Sequence, residues 1–318
     1  MLVVSRWLAG LWLLAFAPFA SPPPASAQSR QLVEIEKRVY ALRRAGKPAE
    51  ALPVAEQLVR QAERESGKVN RITAAAMQTL GLVYEDLARV ADAEATYRRA
   101  LAIQEKTVGE NDPEVAATLN NLGNLLKDNN RYAEAEKHYA RSLAIRERFF
   151  GPAHPEVAVS LNNIGNLLRR QSRYAEAEPA YLRAVAIMEA AQPPDRVRLS
   201  QVRVSLANLR NNQARFAEAA ELYRTAIAGL QAEFGADALQ LAPSITGLGD
   251  VYQAEGRFAD AEASYRRALS IREKAFGQSH QIVAETLAVL ADLSNRQGRY
   301  ELAEQQHKQA LAIRETHF

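Results

Sequence analysis

The fold is decided by residues 112–153, a stretch of 42 with the sequence DPEVAATLNNLGNLLKDNNRYAEAEKHYARSLAIRERFFGPA. It opens with Asp112-Pro113-Glu114, which supplies an N-cap, a proline at the first helical position and an acid in the first turn. Leu119, Leu122 and Leu126 then recur on one face of a helix. The first half of the stretch therefore predicts an amphipathic helix that starts after Asp112.

The second half of the stretch predicts another helix, which the breaker Asp128-Asn129-Asn130 separates from the first. That helix runs from about Tyr132 to near Gly151-Pro152, with Ala135 and Tyr139 on its apolar face. Two helices of roughly 16 to 18 residues, each about 25 Å long, then form an antiparallel hairpin. Neither helix buries its apolar stripe alone, so each hairpin must stack on the next one.

The stretch recurs along the chain at a constant step of 42 residues. The arginine before the second helix is repeated, without insertion or deletion, at Arg89, Arg131, Arg173, Arg215, Arg257 and Arg299. A weaker copy of the second-helix start is found at Lys47-Pro48. Seven units result, at about 28–69, 70–111, 112–153, 154–195, 196–237, 238–279 and 280–318. A fixed period of this length indicates one domain built as a stacked solenoid, and it favours binding over catalysis.

Small and large residues occupy two separate registers of the repeat. The first register contains Gly81, Gly123, Gly165 and Gly249, with Ala207 and Ala291 completing it. The second contains Tyr97, Tyr139, Tyr181, Tyr223 and Tyr265. Because glycine inside a helix is about 1 kcal/mol less favourable than alanine, its recurrence indicates a packing requirement. We expect the tyrosine rings to pack as core against the small positions rather than to form a cofactor-binding stripe.

These residues resemble a known family. Leu122-Gly123, Leu126, Ala135, Tyr139 and the small Ser142 resemble the tetratricopeptide repeat signature, although that unit usually has about 34 residues. The segments YAEAEP at 174–179 and GPAHPEVA at 151–158 are similar to the 42-residue variety found in kinesin light chains and many bacterial proteins. The resemblance covers residues 28–318. It implies an all-α fold, a right-handed α-solenoid of seven antiparallel helix hairpins, whose first helices line a concave side.

The first 27 residues do not match the repeat and predict a signal peptide. One basic residue, Arg6, precedes an apolar run, and Ala25-Ser26-Ala27 supplies the small side chains that a signal peptidase requires. We expect cleavage after Ala27 and a periplasmic or secreted protein without stable membrane insertion. Retention of the segment as an uncleaved anchor is the alternative. The chain contains no cysteine, so neither a disulfide nor a lipid-modified cysteine follows.

Charge and composition argue against several classes of function. The predicted mature chain carries 39 basic and 37 acidic residues, interspersed, without the basic stripe that a nucleic-acid-binding protein shows. No histidine pairs with another at metal-ligand spacing, and there is no glycine-rich phosphate loop. His154 and His280 share one helix-start position, where capping is the simpler role. We expect no enzyme activity, no cofactor, no metal and no nucleic-acid partner.

A polar stripe runs beside the apolar stripe of the first helices. Its members are Asn120, Asn124 and Lys127 in the third repeat, Asn162, Asn166, Arg169 and Arg170 in the fourth, and Asn208 and Asn211 in the fifth. Asparagine is a poor helix former, so Glu or Lys would stabilise a merely solvated face better. Stacked amides suit the backbone of an extended peptide, and the cations favour an acidic residue in that peptide. The stripe predicts a peptide-binding groove for a segment of another protein.

Other interpretations stay open at this stage. The amides could bond between neighbouring helices and brace the solenoid, with Asn121 and Asn163 the expected braces. The chain could instead be a self-assembling structural spacer, or an accessory subunit of a separate envelope enzyme. In the last hairpin Gln305-Gln306-His307 replaces more apolar residues, yet Leu311 and Ile313 remain, so the C-terminal end is a surface for self-association.

Overall fold

The computed structural model describes residues 30–315, and this part of the chain is all-helical, without a β-strand. Its fourteen α-helices are α1 Arg30–Arg44, α2 Pro48–Ser66, α3 Arg71–Asp86, α4 Val90–Thr107, α5 Pro113–Asp128, α6 Tyr132–Phe150, α7 Pro155–Arg170, α8 Tyr174–Ala190, α9 Arg196–Asn212, α10 Phe216–Phe234, α11 Ala242–Ala254, α12 Phe258–Phe276, α13 Gln281–Arg296 and α14 Tyr300–Glu315. A short 3-10 turn, Leu239–Leu241, precedes α11. The bounds of α5 and α6 match those predicted from residues 112–153.

The helices form two compact units that divide after Arg173. In the first unit, α1 packs on α2, α3 on α4 and α5 on α6, and each of these hairpins packs on the helix that follows it. In the second unit, α9 packs on α10, α11 on α12 and α13 on α14 in the same way. The short turns within each pair make the helices antiparallel. The predicted α-solenoid of stacked hairpins is confirmed within each unit.

The starts of α5, α7 and α13 are fixed by side-chain caps. Oδ1 of Asp112 accepts a hydrogen bond of 2.8 Å from the backbone N–H of Glu114 at the start of α5. Nδ1 of His154 accepts from the N–H of Glu156 in the equivalent position of α7, at 3.2 Å. His280 caps α13 in the same manner, at 3.2 Å. The capping role predicted for the two histidines is confirmed.

Tyrosine rings fill the space that glycines leave open. Tyr139 is fully buried, and a Cβ atom added to Gly123 would lie 2.6 Å from its Cε1 atom. The same distance, 2.6 Å, separates Tyr265 from a Cβ atom added to Gly249. Carbon atoms in contact prefer about 3.5 to 4.0 Å, so any side chain larger than glycine displaces the ring. The predicted pairing of large and small registers is confirmed for these hairpins.

The same rings join one hairpin to the next. In the first unit, Tyr139 of α6 forms a buried cluster with Leu126 of α5 and Leu167 of α7. In the second unit, Tyr265 of α12 forms a cluster with Leu293 of α13. Each ring therefore contributes both to the core of its own hairpin and to the stacking contact.

In four of the repeats, the arginine before the second helix forms an ion pair with the preceding hairpin. Arg131 contacts Glu134 of its own helix at 2.6 Å and also Glu94 of the preceding hairpin. The equivalent pairs across hairpins are Arg173–Glu136 at 3.0 Å, Arg215–Glu178 at 3.4 Å and Arg299–Glu262 at 2.7 Å. Arg89 and Arg257 instead pair with Asp92 and Asp260 of their own hairpins, each at 2.7 Å.

Two predictions concern the ends of the chain, namely the signal peptide and the apolar C-terminal surface. Residues 1–27, where the signal peptide is predicted, lie outside the part that the structure describes. Within residues 30–315 no helix is long and apolar enough to cross a bilayer. On α14, Leu311 is 55% exposed, in keeping with the apolar end expected from the sequence.

Candidate functional site

The predicted polar stripe falls on α5 and α7 in the first unit and on α9 in the second. Asn120 and Asn124 of α5 and Asn162 and Asn166 of α7 are all half-buried, and we call these four residues the amide face. Asn208 and Asn211 are half-buried on α9, in the other unit. Oδ1 of Asn208 accepts a 2.7 Å hydrogen bond from the hydroxyl of Tyr223.

An amide bridge joins the two helices of the amide face. Nδ2 of Asn163 donates to Oδ1 of Asn120 at 2.6 Å, which links α7 to α5. Asn163 is therefore a brace, as the sequence predicts. Asn120 also takes part in the bridge, so only its amide nitrogen is left to meet a ligand.

A buried tyrosine fixes the orientation of a second amide. The hydroxyl of Tyr139 lies 2.6 Å from Oδ1 of Asn124. In the second unit the same register contains Asp250, whose carboxylate accepts from the hydroxyl of Tyr265 at 2.7 Å. Because a carboxylate only accepts, we infer that tyrosine is the donor in both pairs. The oxygen of Asn124 is thus engaged, and its NH₂ group remains available as a donor.

Two polar atoms of α7 are buried without a hydrogen-bond partner. They are Oδ1 of Asn162 and Nε of Arg169, which no donor or acceptor within residues 30–315 reaches. The two residues lie two helical turns apart on one side of α7, a rise of about 10.5 Å. A buried polar atom left unpaired is unfavourable by roughly 1 to 3 kcal/mol. One acceptor and one donor along this helix therefore lack an internal partner.

The cations beside the amide face share an internal carboxylate. Nζ of Lys127 lies 3.8 Å, and Nη2 of Arg170 lies 3.2 Å, from Oδ1 of Asp128. Burial lowers the pKa of Lys127, and the Asp128 carboxylate opposes that effect. Asp128 consequently occupies the place that the sequence predicts for an acidic residue of the ligand.

The charges continue onto α1 and α3. Nε of Arg43 contacts Oδ2 of Asp86 at 2.6 Å. The hydroxyl of Tyr97 donates to the carboxylate of the neighbouring Glu85. Desolvation raises the pKa of Glu85 to about 7; the hydrogen bond from Tyr97 opposes this shift, and the Asp128 and Asp86 carboxylates add to it. The surface beside the amide face therefore holds carboxylates as well as cations.

Sequence reasoning did not identify Asp86, Glu85 or Asp128 as part of this surface. In the sequence Asp128 is interpreted only as part of a helix breaker. The sequence does contain a signal for these residues. At two adjacent positions of the 42-residue repeat, acidic residues occur among basic ones along the chain. One contains Arg43, Glu85, Lys127 and Arg169, and the other contains Arg44, Asp86, Asp128 and Arg170. Within the described residues, no group of three metal-ligating side chains converges anywhere.

Comparison with known families defines the class of the protein. The tetratricopeptide repeat model matches residues 34–106, 114–190, 198–274 and 243–316, and a second model of that repeat matches 79–148. The chain therefore belongs to the tetratricopeptide repeat family. Proteins of this family are generally non-catalytic scaffolds for protein interaction.

Solved structures share the fold. BtubC (BKLC) from P. vanneervenii is 22% identical, with a TM-score of 0.57 over 76% of this chain and 92% of its own. The apo form of RapI is 16% identical, with a TM-score of 0.62 over 90% and 98%. A Rap protein complexed with competence and sporulation factor is 12% identical, with a TM-score of 0.55 over 91% and 99%. A comparison with curated proteins gives no significant match. At these identities the likeness shows the fold alone.

Proposed function

We propose that this protein is an exported, non-catalytic scaffold that binds an extended peptide segment of a partner protein along the amide face. Membership of a family of interaction scaffolds supports the general role. The Rap protein of similar fold, solved with competence and sporulation factor, supports the use of this fold for binding a factor. The amide face is favoured because Oδ1 of Asn162 on it, and Nε of Arg169 beside it, lack partners.

The observation that carries this proposal is the pair of unpartnered atoms on α7. An extended chain advances about 3.3 Å per residue, so about three residues span the distance between Asn162 and Arg169. In the proposed complex a main-chain N–H donates to Oδ1 of Asn162. A carbonyl about three residues away accepts from Nε of Arg169, and the NH₂ group of Asn124 donates to another carbonyl.

Charge gives the proposed peptide its preferred composition. Asp128 pairs with Lys127 and Arg170 in the free protein. A peptide carboxylate competes with Asp128 for these two cations, and charge-assisted bonds of this kind are about twice as strong as neutral ones. The substitution Asp128→Asn therefore tightens the binding of acidic peptides and leaves neutral peptides unaffected.

Two neighbouring asparagines provide a matched test. Peptides selected from a displayed random library on the wild-type protein are titrated against Asn162→Ala and Asn163→Ala. We expect Asn162→Ala to weaken binding at least about tenfold without lowering the free energy of unfolding, because its oxygen has no internal partner. Asn163→Ala breaks the bridge to Asn120, so it lowers stability by about 1 kcal/mol and changes affinity less.

Each part of the proposal has its own contradicting result. Selected peptides that bind the wild type and Asn162→Ala equally well place the site elsewhere. Failure to select any peptide contradicts peptide binding. Export is tested separately, by fractionating cells and measuring the mass of the protein. A full-length chain confined to the cytoplasm contradicts export and leaves the binding proposal intact.

A further inference from the structure

The fifth repeat lacks the packed cluster found at one end of the third hairpin. In the third repeat the buried cluster consists of Val115, Ala116, Leu119 and Ile145. The equivalent positions of the fifth repeat contain Leu199, Ser200, Arg203 and Gly229. A small polar residue, a cation and a glycine thus replace three apolar side chains.

Gly229 is the most consequential of these changes. The same register contains a buried isoleucine in four other repeats, namely Ile103, Ile145, Ile187 and Ile271. A Cβ atom added to Gly229 would lie 2.7 Å from Oγ of Ser200. The Ser200 hydroxyl in turn donates to the carbonyl of Arg196 at 2.7 Å. The serine and the glycine therefore fit each other, and together they leave the isoleucine site empty.

A hollow of about 430 Å³ results between α9 and α10. Its lining includes Pro194, Leu199 and Ala228, and most of its wall is apolar. Arg196 and Arg203 also line it. Its volume lies within the roughly 300 to 1,000 Å³ typical of small-molecule sites.

The two arginines have N–H donors that are not used in ion pairs within the described part of the chain. Nη2 of Arg203 contacts Oε1 of Glu189 at 2.8 Å, and a guanidinium has five N–H donors in all. The exposed Arg196 guanidinium forms no ion pair within residues 30–315. An apolar wall beside two guanidinium groups is complementary to an apolar anion, and carboxylates bind such groups in bidentate geometry.

We propose that this hollow binds a small apolar carboxylic acid. The hydrocarbon part occupies the place of the missing isoleucine, and the carboxylate accepts hydrogen bonds from Arg203 and Arg196. Glu189 competes with the ligand for Arg203, so this carboxylate weakens binding. The site lies wholly in the second unit, and the proposal is independent of peptide binding at the amide face.

Isothermal titration calorimetry of the whole protein with phenylbutyrate tests the proposal, with phenylbutanol as the uncharged probe. We expect saturable binding of phenylbutyrate and at least about tenfold weaker binding of phenylbutanol, as the loss of charge-assisted hydrogen bonds predicts. We expect Arg203→Gln to weaken the binding of phenylbutyrate by about the same factor. We expect Glu189→Gln to tighten the binding of phenylbutyrate, which a merely structural ion pair does not explain.

The double variant Ser200→Ala with Gly229→Ile fills the hollow and abolishes binding. Circular dichroism is used to check that this variant folds. If it does not fold, the single substitutions at the partly exposed Arg203 and Glu189 still test the proposal. The proposal is overturned if phenylbutyrate shows no saturable binding to the wild type. It is equally overturned if the filled variant binds as the wild type does, or if phenylbutanol binds as tightly as phenylbutyrate.

Discussion

The hydroxyl of Tyr139 donates a hydrogen bond of 2.6 Å to Oδ1 of Asn124, fifteen residues earlier on the partner helix of the hairpin. The ring of Tyr139 is fully buried against Gly123, whereas Asn124 is half-buried on the amide face. One side chain therefore packs the core and orients a surface amide. Core packing and the proposed binding surface are physically coupled through this bond.

Tyr139→Phe removes the hydroxyl and keeps the ring. We expect the free energy of unfolding to fall by about 1 kcal/mol, because Oδ1 of Asn124 loses a partly buried partner. Urea denaturation measures this change. Tyr132→Phe is the control, since the Tyr132 hydroxyl bonds to Asn130 at an exposed site and its loss changes stability less. Equal effects of the two substitutions contradict the special role of Tyr139.

Gly123→Ala places a methyl group against the Tyr139 ring. Overpacking is unfavourable by about 1 to 3 kcal/mol, and the better helix propensity of alanine recovers about 1 kcal/mol at most. We expect a net loss of stability in thermal or urea unfolding. Ala207→Gly, in the same register of the second unit, tests the converse and loses about 1 kcal/mol through propensity. Stabilisation by Gly123→Ala would show that the ring moves without strain.

Glu85 gives the first unit a stability that depends on pH. Desolvation raises the pKa of its carboxyl from 4.5 to about 7, so the folded chain holds this proton more tightly than the unfolded chain. The resulting stability is fully present below the pKa that the Glu85 carboxyl has in the unfolded chain, and it is lost as pH rises through about 7. The difference in stability between wild type and Glu85→Gln, measured across this window, isolates the contribution of Glu85. A difference that does not vary with pH contradicts the raised pKa.

Filling the hollow of the fifth repeat stabilises the second unit. Ser200→Ala with Gly229→Ile restores the residues present in the third repeat and buries an isoleucine, which contributes about 1.5 to 3 kcal/mol. Removing a mid-helix glycine adds up to about 1 kcal/mol. The midpoint of thermal unfolding should rise. Gly229→Ile alone is the control. We expect it to unfold at a lower temperature than the double variant, because Oγ of Ser200 lies 2.7 Å from the new Cβ atom.

Much of the fold was predictable because its determinants are local and repeated. The N-cap and proline at Asp112 and Pro113, the breaker that follows Lys127, and the 42-residue period define helices whose bounds the structure confirms. The pairing of Gly123 with Tyr139 was predictable too, since a large and a small residue recur together. The polar stripe was correctly placed on the first helices, but the hydrogen bonds of its side chains were not predicted.

The partners within the stripe depend on the tertiary structure. Tyr139 bonds to Asn124, yet Tyr97 bonds to Glu85, because Leu82 occupies the register of Asn124 and offers no acceptor. A break in one register thus moves a bond to another turn of the helix. Whether a given atom is paired is decided by distances of a few tenths of an ångström between different helices, which a sequence pattern does not specify.

The sequence by itself determined the helices, their period and the family, because helix propensity, capping and apolar spacing act over a few residues and are repeated seven times. Only the tertiary structure decided that Asn163 bridges to Asn120 while Oδ1 of Asn162 remains unpartnered, although the two asparagines are adjacent. Adjacent residues on a helix point about 100° apart, so stacking on the next helix gives one of them a partner and leaves the other without one.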